Sequence, residues 1–169
     1  MANSYTQIHL QLIFAVKFRA SLINSSWKYE LLKYITGIIQ TQKHKLIIIN
    51  GVADHLHVLI GFRPHQSLSE LMQDIKGSSS KWINEKKFTP AGFAWQEGYG
   101  AFSYSHSHLN KVINYIKNQE QHHRKISFLE EYRSFLKAYE IEFDEKYILE
   151  ESEFTNLVNI TAPFFILIE

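Results

Sequence analysis

The order in which hydrophobic periods follow one another constrains this chain most. Residues 4–16 carry Ile8, Leu10, Leu12 and Phe14 at a spacing of two, with His9 and Gln11 between them, the alternation of a strand with one face in the core. Between 25 and about 43 the period changes, with Leu31, Leu32, Ile35, Ile38 and Ile39 at the spacing of an amphipathic helix. Two strand-like stretches follow, the isoleucine-rich 45–52 and then 56–62, separated by the turn formers Asn50-Gly51 and Ala53-Asp54, so they are expected to pair antiparallel. Ser67 and Glu70 then form a capping-box pattern, which opens a second helix through Leu68, Leu71, Met72, Ile75, Trp82 and Ile83 to about Lys86. After Thr89-Pro90-Ala91-Gly92 the aromatic-rich stretch 93–104 reads as a fourth strand. Residues 106–122 read as a third helix, with Leu109, Val112, Ile113 and Ile116 on one stripe. The predicted order β-α-β-β-α-β, then α, is that of an α+β ferredoxin-like split βαβ sheet with an added helix.

Residues 1–125 are expected to form the main domain. Residues 126–169 are expected to form a C-terminal extension of one or two helices packed outside the sheet, followed by a tail. The apolar run 164–168 suits an edge strand, an interface segment or a loose end. No apolar run approaches the length of a membrane span, and the first residues lack the pattern of a secretion signal. The absence of cysteine excludes disulfides, thiolate metal sites and cysteine nucleophiles, and agrees with a reducing cytoplasm. Net charge is only +1, so contact with nucleic acid has to be local, where basic and aromatic residues mix: Lys17 to Arg19, Lys76 to Lys87, and His122 to Arg124.

His55 and His57 lie two apart on the third strand and therefore project from one face, about 7 Å from each other. Leu56, Val58 and Ile60 point to the opposite face, toward the two sheet-packing helices, which leaves the histidine face open. His9 and Gln11 on the first strand share that face, either as part of a merely solvated surface or as groups that support the histidines from behind. In the third helix Tyr115 and Gln119 are four apart, about 5–6 Å from one another on the polar side. A tyrosine there is a candidate nucleophile, and a side-chain amide beside it a candidate metal ligand. Lys76-Gly77-Ser78-Ser79-Ser80 is a poor helical run whose small side chains suit a close approach, by DNA or by another part of the chain. Trp95, Tyr99 and Phe102 are read mainly as core, with Tyr99 the one rival nucleophile.

VADHLHVLI (52–60), SLSELMQDIKGSSSKWI (67–83), WQEGYGAFSYS (95–105) and YIKNQEQHH (115–123) come in an order and spacing that resemble the small single-tyrosine HUH transposases of insertion sequences and their domesticated relatives at bacterial repeat elements. The resemblance covers about residues 5–123. It implies His55, His57 and Gln119 as ligands of a divalent metal, Mg²⁺ or Mn²⁺, and Tyr115 as a nucleophile that forms a 5′-phosphotyrosine. It also implies single-stranded DNA hairpins as substrate and a homodimer, which an open sheet face would favour as well. Three alternatives stand beside it: a noncatalytic RNA-recognition-like module, a rolling-circle initiator or relaxase, and a metallohydrolase. The last lacks any carboxylate base in the motif except Asp54.

Overall fold

A computed structural model describes residues 4–145, 148 and 166–167. It contains the expected split βαβ sheet: β1 (Ile8–Ala15), α1 (Ser25–Thr41), β2 (Lys45–Gly51), β3 (His55–Phe62), α2 (Leu68–Lys86) and β4 (Gly100–Tyr104), with sheet order β4-β1-β3-β2 and all pairings antiparallel. The added helices are α3 (Leu109–Lys117), α4 (Gln119–His123) and α5 (Phe128–Ala138), and a two-residue strand, β5 (Ile166–Leu167), pairs with β2. The apolar run near the C-terminus thus supplies an edge strand at 166–167. Residues 158–165, also part of the expected tail, lie outside the described residues.

The alternation in β1 and β3 determines which side is which. Leu12, Phe14, Leu56, Val58 and Ile60 face α1 and α2, where they meet Leu31, Leu32, Ile35, Leu71, Met72 and Ile75 in the main core. Each such side chain, fully buried, contributes about 1.5–3 kcal/mol. Asn24 caps α1 by accepting from the Ser26 amide at 2.9 Å, and Ser67 with Glu70 closes the capping box of α2.

Three expectations need correction. The fourth strand is short: residues 93–98 meet the end of β1 through one isolated antiparallel bridge, Val16 with Trp95, and are also held by side chains of α2. Ser80 Oγ donates to the Phe93 carbonyl at 3.1 Å, Lys76 Nζ to the carbonyls of Gln96 and Gly98 at 2.7 and 2.6 Å, and Ser79 Oγ accepts from Trp95 Nε1 at 2.9 Å. Ser79, Ser80 and Lys76 of the polar run in α2 therefore pack against this loop. The third helix breaks at Asn118 (φ −99°, ψ 21°), because Asn50 on β2 donates to the carbonyls of Ile116 and Lys117 at 2.9 and 3.3 Å and so caps α3.

The histidine face is also not open. Ile48 and Leu59 are covered by Val112 and Ile116 of α3, and Ile13, Ala15 and Phe102 by Phe128 and Leu136 of α5. A helix whose apolar residues recur along one side must bury that side, and this sheet face is where α5 does so. The helical part of the C-terminal extension lies on the sheet, directly over the histidines.

Candidate active site

The turn between β2 and β3 brings His55 and His57 into place. A Cβ on Gly51 would lie 2.2 Å from the His55 carbonyl oxygen, so only glycine permits this approach. Register then puts Ala15 opposite His55 and Ile13 opposite His57, and both imidazoles are fully buried. Arg19 Nη2 donates to Asp54 Oδ2 at 2.9 Å, and His55 Nδ1 donates to Asp54 Oδ1 at 2.7 Å. Behind His57, Nδ1 lies 2.8 Å from Gln11 Nε2, while Tyr104 Oη donates to Gln11 Oε1 at 3.0 Å. Gln11 is thus the supporting group anticipated on β1. His9 is not, since its ring lies beside His106, 6.0 Å away.

The break at Asn118 turns Gln119 inward, where it is fully buried. Its Oε1 lies 2.9 Å from His123 Nε2 and its Nε2 donates to Glu131 Oε1 at 3.2 Å. Glu131 Oε2 stands 3.2 Å from His123 Nε2, 3.3 Å from His57 Nε2 and 3.8 Å from His55 Nε2. Among the described residues, His55, His57, His123 and Glu131 form a group whose ligand atoms all lie within 4.8 Å of one another. His57 Nε2 and Glu131 Oε2 are buried and have no hydrogen-bond partner. Buried polar atoms aimed at one point without partners are what a bound cation satisfies, so the residues fit a divalent metal.

Burial lowers the pKa of His57, although Glu131 pulls it the other way. Burial, reinforced by His55 and His57, lowers that of His123 to about 3. Both imidazoles are therefore neutral at physiological pH, the form that binds metal. For Asp54 burial acts upward, but the hydrogen bond and charge of His55, together with Arg19, outweigh it and hold the carboxyl well below the usual range.

Tyr115 projects from α3 beside this group. Its half-buried ring meets His57 edge-on at a centroid distance of 5.9 Å and His122 at 5.1 Å. A cavity of about 450 Å³ opens here, lined by Tyr115, His122, Glu131, Gln11, Tyr104 and Phe135 among others. Tyr104 is a poor nucleophile, since burial and its neighbour Tyr139 push its phenol far up. Tyr99 packs against the main core on the other side of the sheet.

All four residues singled out in the sequence therefore come together: His55, His57 and Gln119 within one cluster, Tyr115 at its edge. The sequence reading missed His123 and Glu131. Glu131 left one signal, a carboxylate three residues from Phe128 and four before Phe135, on the stripe that the amphipathic pattern reserves for apolar side chains. Of the basic clusters, Arg19 turns inward to Asp54, while Phe18 stays half exposed under Lys17 Nζ, 5.3 Å from its ring centre.

Comparison with known proteins identifies the family. The family model described as "Transposase IS200 like" matches residues 4–119, more than half of the chain. The ISDra2 transposase TnpA of Deinococcus radiodurans is 22% identical over 120 residues, which cover 67% of this chain and 84% of that protein. A crystal structure of a candidate transposase from Deinococcus radiodurans R1 superimposes with a TM-score of 0.57 at 21% identity, covering 70% of this chain and 96% of the other. A REP-associated tyrosine transposase bound to a REP hairpin superimposes with a TM-score of 0.56 at 13% identity, covering 96% and 98%. At such identities the two superpositions speak for the fold, whereas the matched model speaks for descent: this chain belongs to the IS200-like transposase family.

Proposed function

We propose that this transposase nicks and rejoins single-stranded DNA at hairpin-marked element ends, with Tyr115 as nucleophile and His55, His57 and Gln119 as ligands of a divalent metal, Mg²⁺ or Mn²⁺. The observation that carries this reading is the placement of the Tyr115 ring edge-on to His57, beside buried donors that lack hydrogen-bond partners. An ion bound there polarises a nonbridging phosphate oxygen and offsets the charge that develops on it.

The tyrosine does the covalent work. Its Oη forms a bond to phosphorus, the bond from phosphorus to the 3′ oxygen of the preceding nucleotide breaks, and a 5′-phosphotyrosine and a 3′-hydroxyl result. The phenol proton passes to a neighbouring base, for which His122 is placed, and the leaving oxygen takes up a proton. Because the phosphodiester is exchanged for a phosphotyrosine ester, a 3′-hydroxyl can reverse the step without ATP. Asp54 and Gln11 hold the imidazoles that hold the ion.

Hairpin DNA as the substrate is supported by the solved relative bound to one. A homodimer follows from the family resemblance alone, because α3, α4 and α5 cover the face that the sequence left to a partner. Among the described residues no helix is long and apolar enough to cross a membrane. The absence of cysteine suits work in the cytoplasm.

An RNA-recognition-like module would need exposed aromatics on the central strands, where β3 instead carries buried histidines. Glu131 does revive water activation, since it supplies the carboxylate that the motif lacked. Incubating the protein with a hairpin oligonucleotide and Mn²⁺ and resolving the products on a denaturing gel separates the two. Transfer leaves a protein-DNA adduct that EDTA suppresses, whereas hydrolysis leaves free 5′-phosphate and no adduct. Light scattering that shows a fully active monomer would remove the dimer.

A further inference from the structure

We infer that His123 and Glu131 bind the same ion as His55 and His57, and that this nitrogen-rich set selects a transition-metal dication such as Mn²⁺ over Mg²⁺. The inference rests on the metal site proposed above and extends its ligands beyond Gln119.

The directions of the lone pairs carry the argument. His123 Nδ1 lies 3.0 Å from the Ile126 carbonyl oxygen, which can only accept, so the ring proton sits on Nδ1 and Nε2 presents a lone pair. The Asp54 carboxylate does the same for His55. The two Nε2 atoms then face each other at 3.0 Å, with Gln119 Oε1 2.9 Å from the His123 one. Acceptors facing acceptors repel unless a cation lies against them. Glu131 Oε2, with its side chain 3% exposed, adds a carboxylate oxygen within 3.2–3.8 Å of the Nε2 atoms of His55, His57 and His123. The separations of 3.0–3.8 Å, with all four ligand atoms of His55, His57, His123 and Glu131 within 4.8 Å of one another, are close enough for one ion to be shared among them.

The outer contacts tune the set. Gln119 Nε2 donates to Glu131 Oε1 and so turns Oε2 inward. His57 Nδ1 faces the Gln11 amide, and an amide can present either end. With its oxygen toward Nδ1, the His57 proton sits there and Nε2 is free to bind. Three imidazoles and one carboxylate suit Mn²⁺, Fe²⁺ or Zn²⁺, whereas Mg²⁺ prefers oxygen ligands and keeps several waters.

The test is calorimetric titration of chelator-treated protein with MnCl₂ and, separately, MgCl₂. Mn²⁺ is expected to bind at least about tenfold more tightly than Mg²⁺. Glu131→Gln and His123→Ala should each weaken Mn²⁺ binding by at least about tenfold. Pulsed EPR of Mn²⁺-loaded wild-type protein should count three coupled imidazoles, a reading that needs no variant to fold. Unchanged affinity in both variants, or two coupled imidazoles, overturns the inference; if His57→Ala then loses Mn²⁺, the site proposed from His55, His57 and Gln119 stands. No Mn²⁺ uptake by wild-type protein overturns both, with a shared proton bridging His55 and His123 instead.

Discussion

Asp54 accepts a hydrogen bond from His55 Nδ1 at 2.7 Å, and its other oxygen is held by Arg19. The carboxylate therefore sets the tautomer of His55 and orients its ring. Asp54→Asn keeps the shape but removes the charge, and should weaken divalent-metal affinity about 10–100-fold. Titration calorimetry on a folded variant checks this, and wild-type affinity in Asp54→Asn would show that Asp54 does no more than close the turn.

Tyr115→Phe removes a single oxygen at the edge of the cluster. Cleavage and the covalent adduct should vanish while hairpin affinity persists and stability changes by about 1 kcal/mol or less. An adduct that survives in the variant, mapped by peptide mass to another residue such as Tyr99, would reassign the nucleophile.

The Tyr115 ring lies 5.9 Å from the His57 ring of its own chain. In this arrangement the proposed nucleophile and the proposed ligands come from one chain, so mixing Tyr115→Phe with His57→Ala protein should restore no cleavage even after subunits have exchanged. Recovery of activity from the two inactive parents would mean that the α3 helix swings to a neighbouring chain.

Stability should fall on acidification. His57 and His123 have folded-state pKa values lowered by burial, His123 to about 3, whereas an unfolded histidine titrates near 6.5. Below about pH 6.5 the unfolded chain binds more protons than the folded one, so stability is lost as pH drops from there toward 3. Asp54, also held low, acts with the same sign below about pH 4. Urea midpoints measured in EDTA from pH 8 to pH 4 should decline, with most of the change below 6.5; a constant midpoint would contradict the burial of neutral imidazoles.

Gly51→Ala places a methyl group 2.2 Å from the His55 carbonyl oxygen, with Leu56 Cα at 2.9 Å. Neither backbone atom can yield without moving β3, so the variant should lose about 1–3 kcal/mol or more and bind metal less tightly. Thermal melts with and without Mn²⁺ measure both effects. A variant as stable as wild type would show that the turn has room which the structure denies it.

Local periodicity determined much of this protein. The alternation in β1 and β3, the helical spacing in α1 and α2 and the capping box at Ser67 are written in neighbouring residues, and they determine which side of the sheet takes the helices and that His55 and His57 share the other. His55 and His57 were legible as a pair because they lie two apart on one strand, whereas Tyr115 and Gln119, four apart in sequence, stand on either side of the break at Asn118, so their spacing showed that they are neighbours but not that Gln119 turns inward. Contacts between elements distant in the chain were decided only by the tertiary structure. Asn50 breaks the third helix from a strand 66 residues away, and nothing near Asn118 announces it. Glu131 reaches His57 because α5 has an apolar side to bury and the sheet has one uncovered face left. Periodicity states that a stripe must be buried but not against what, so the carboxylate at the centre of the site became visible only once the chain had closed over its own histidines.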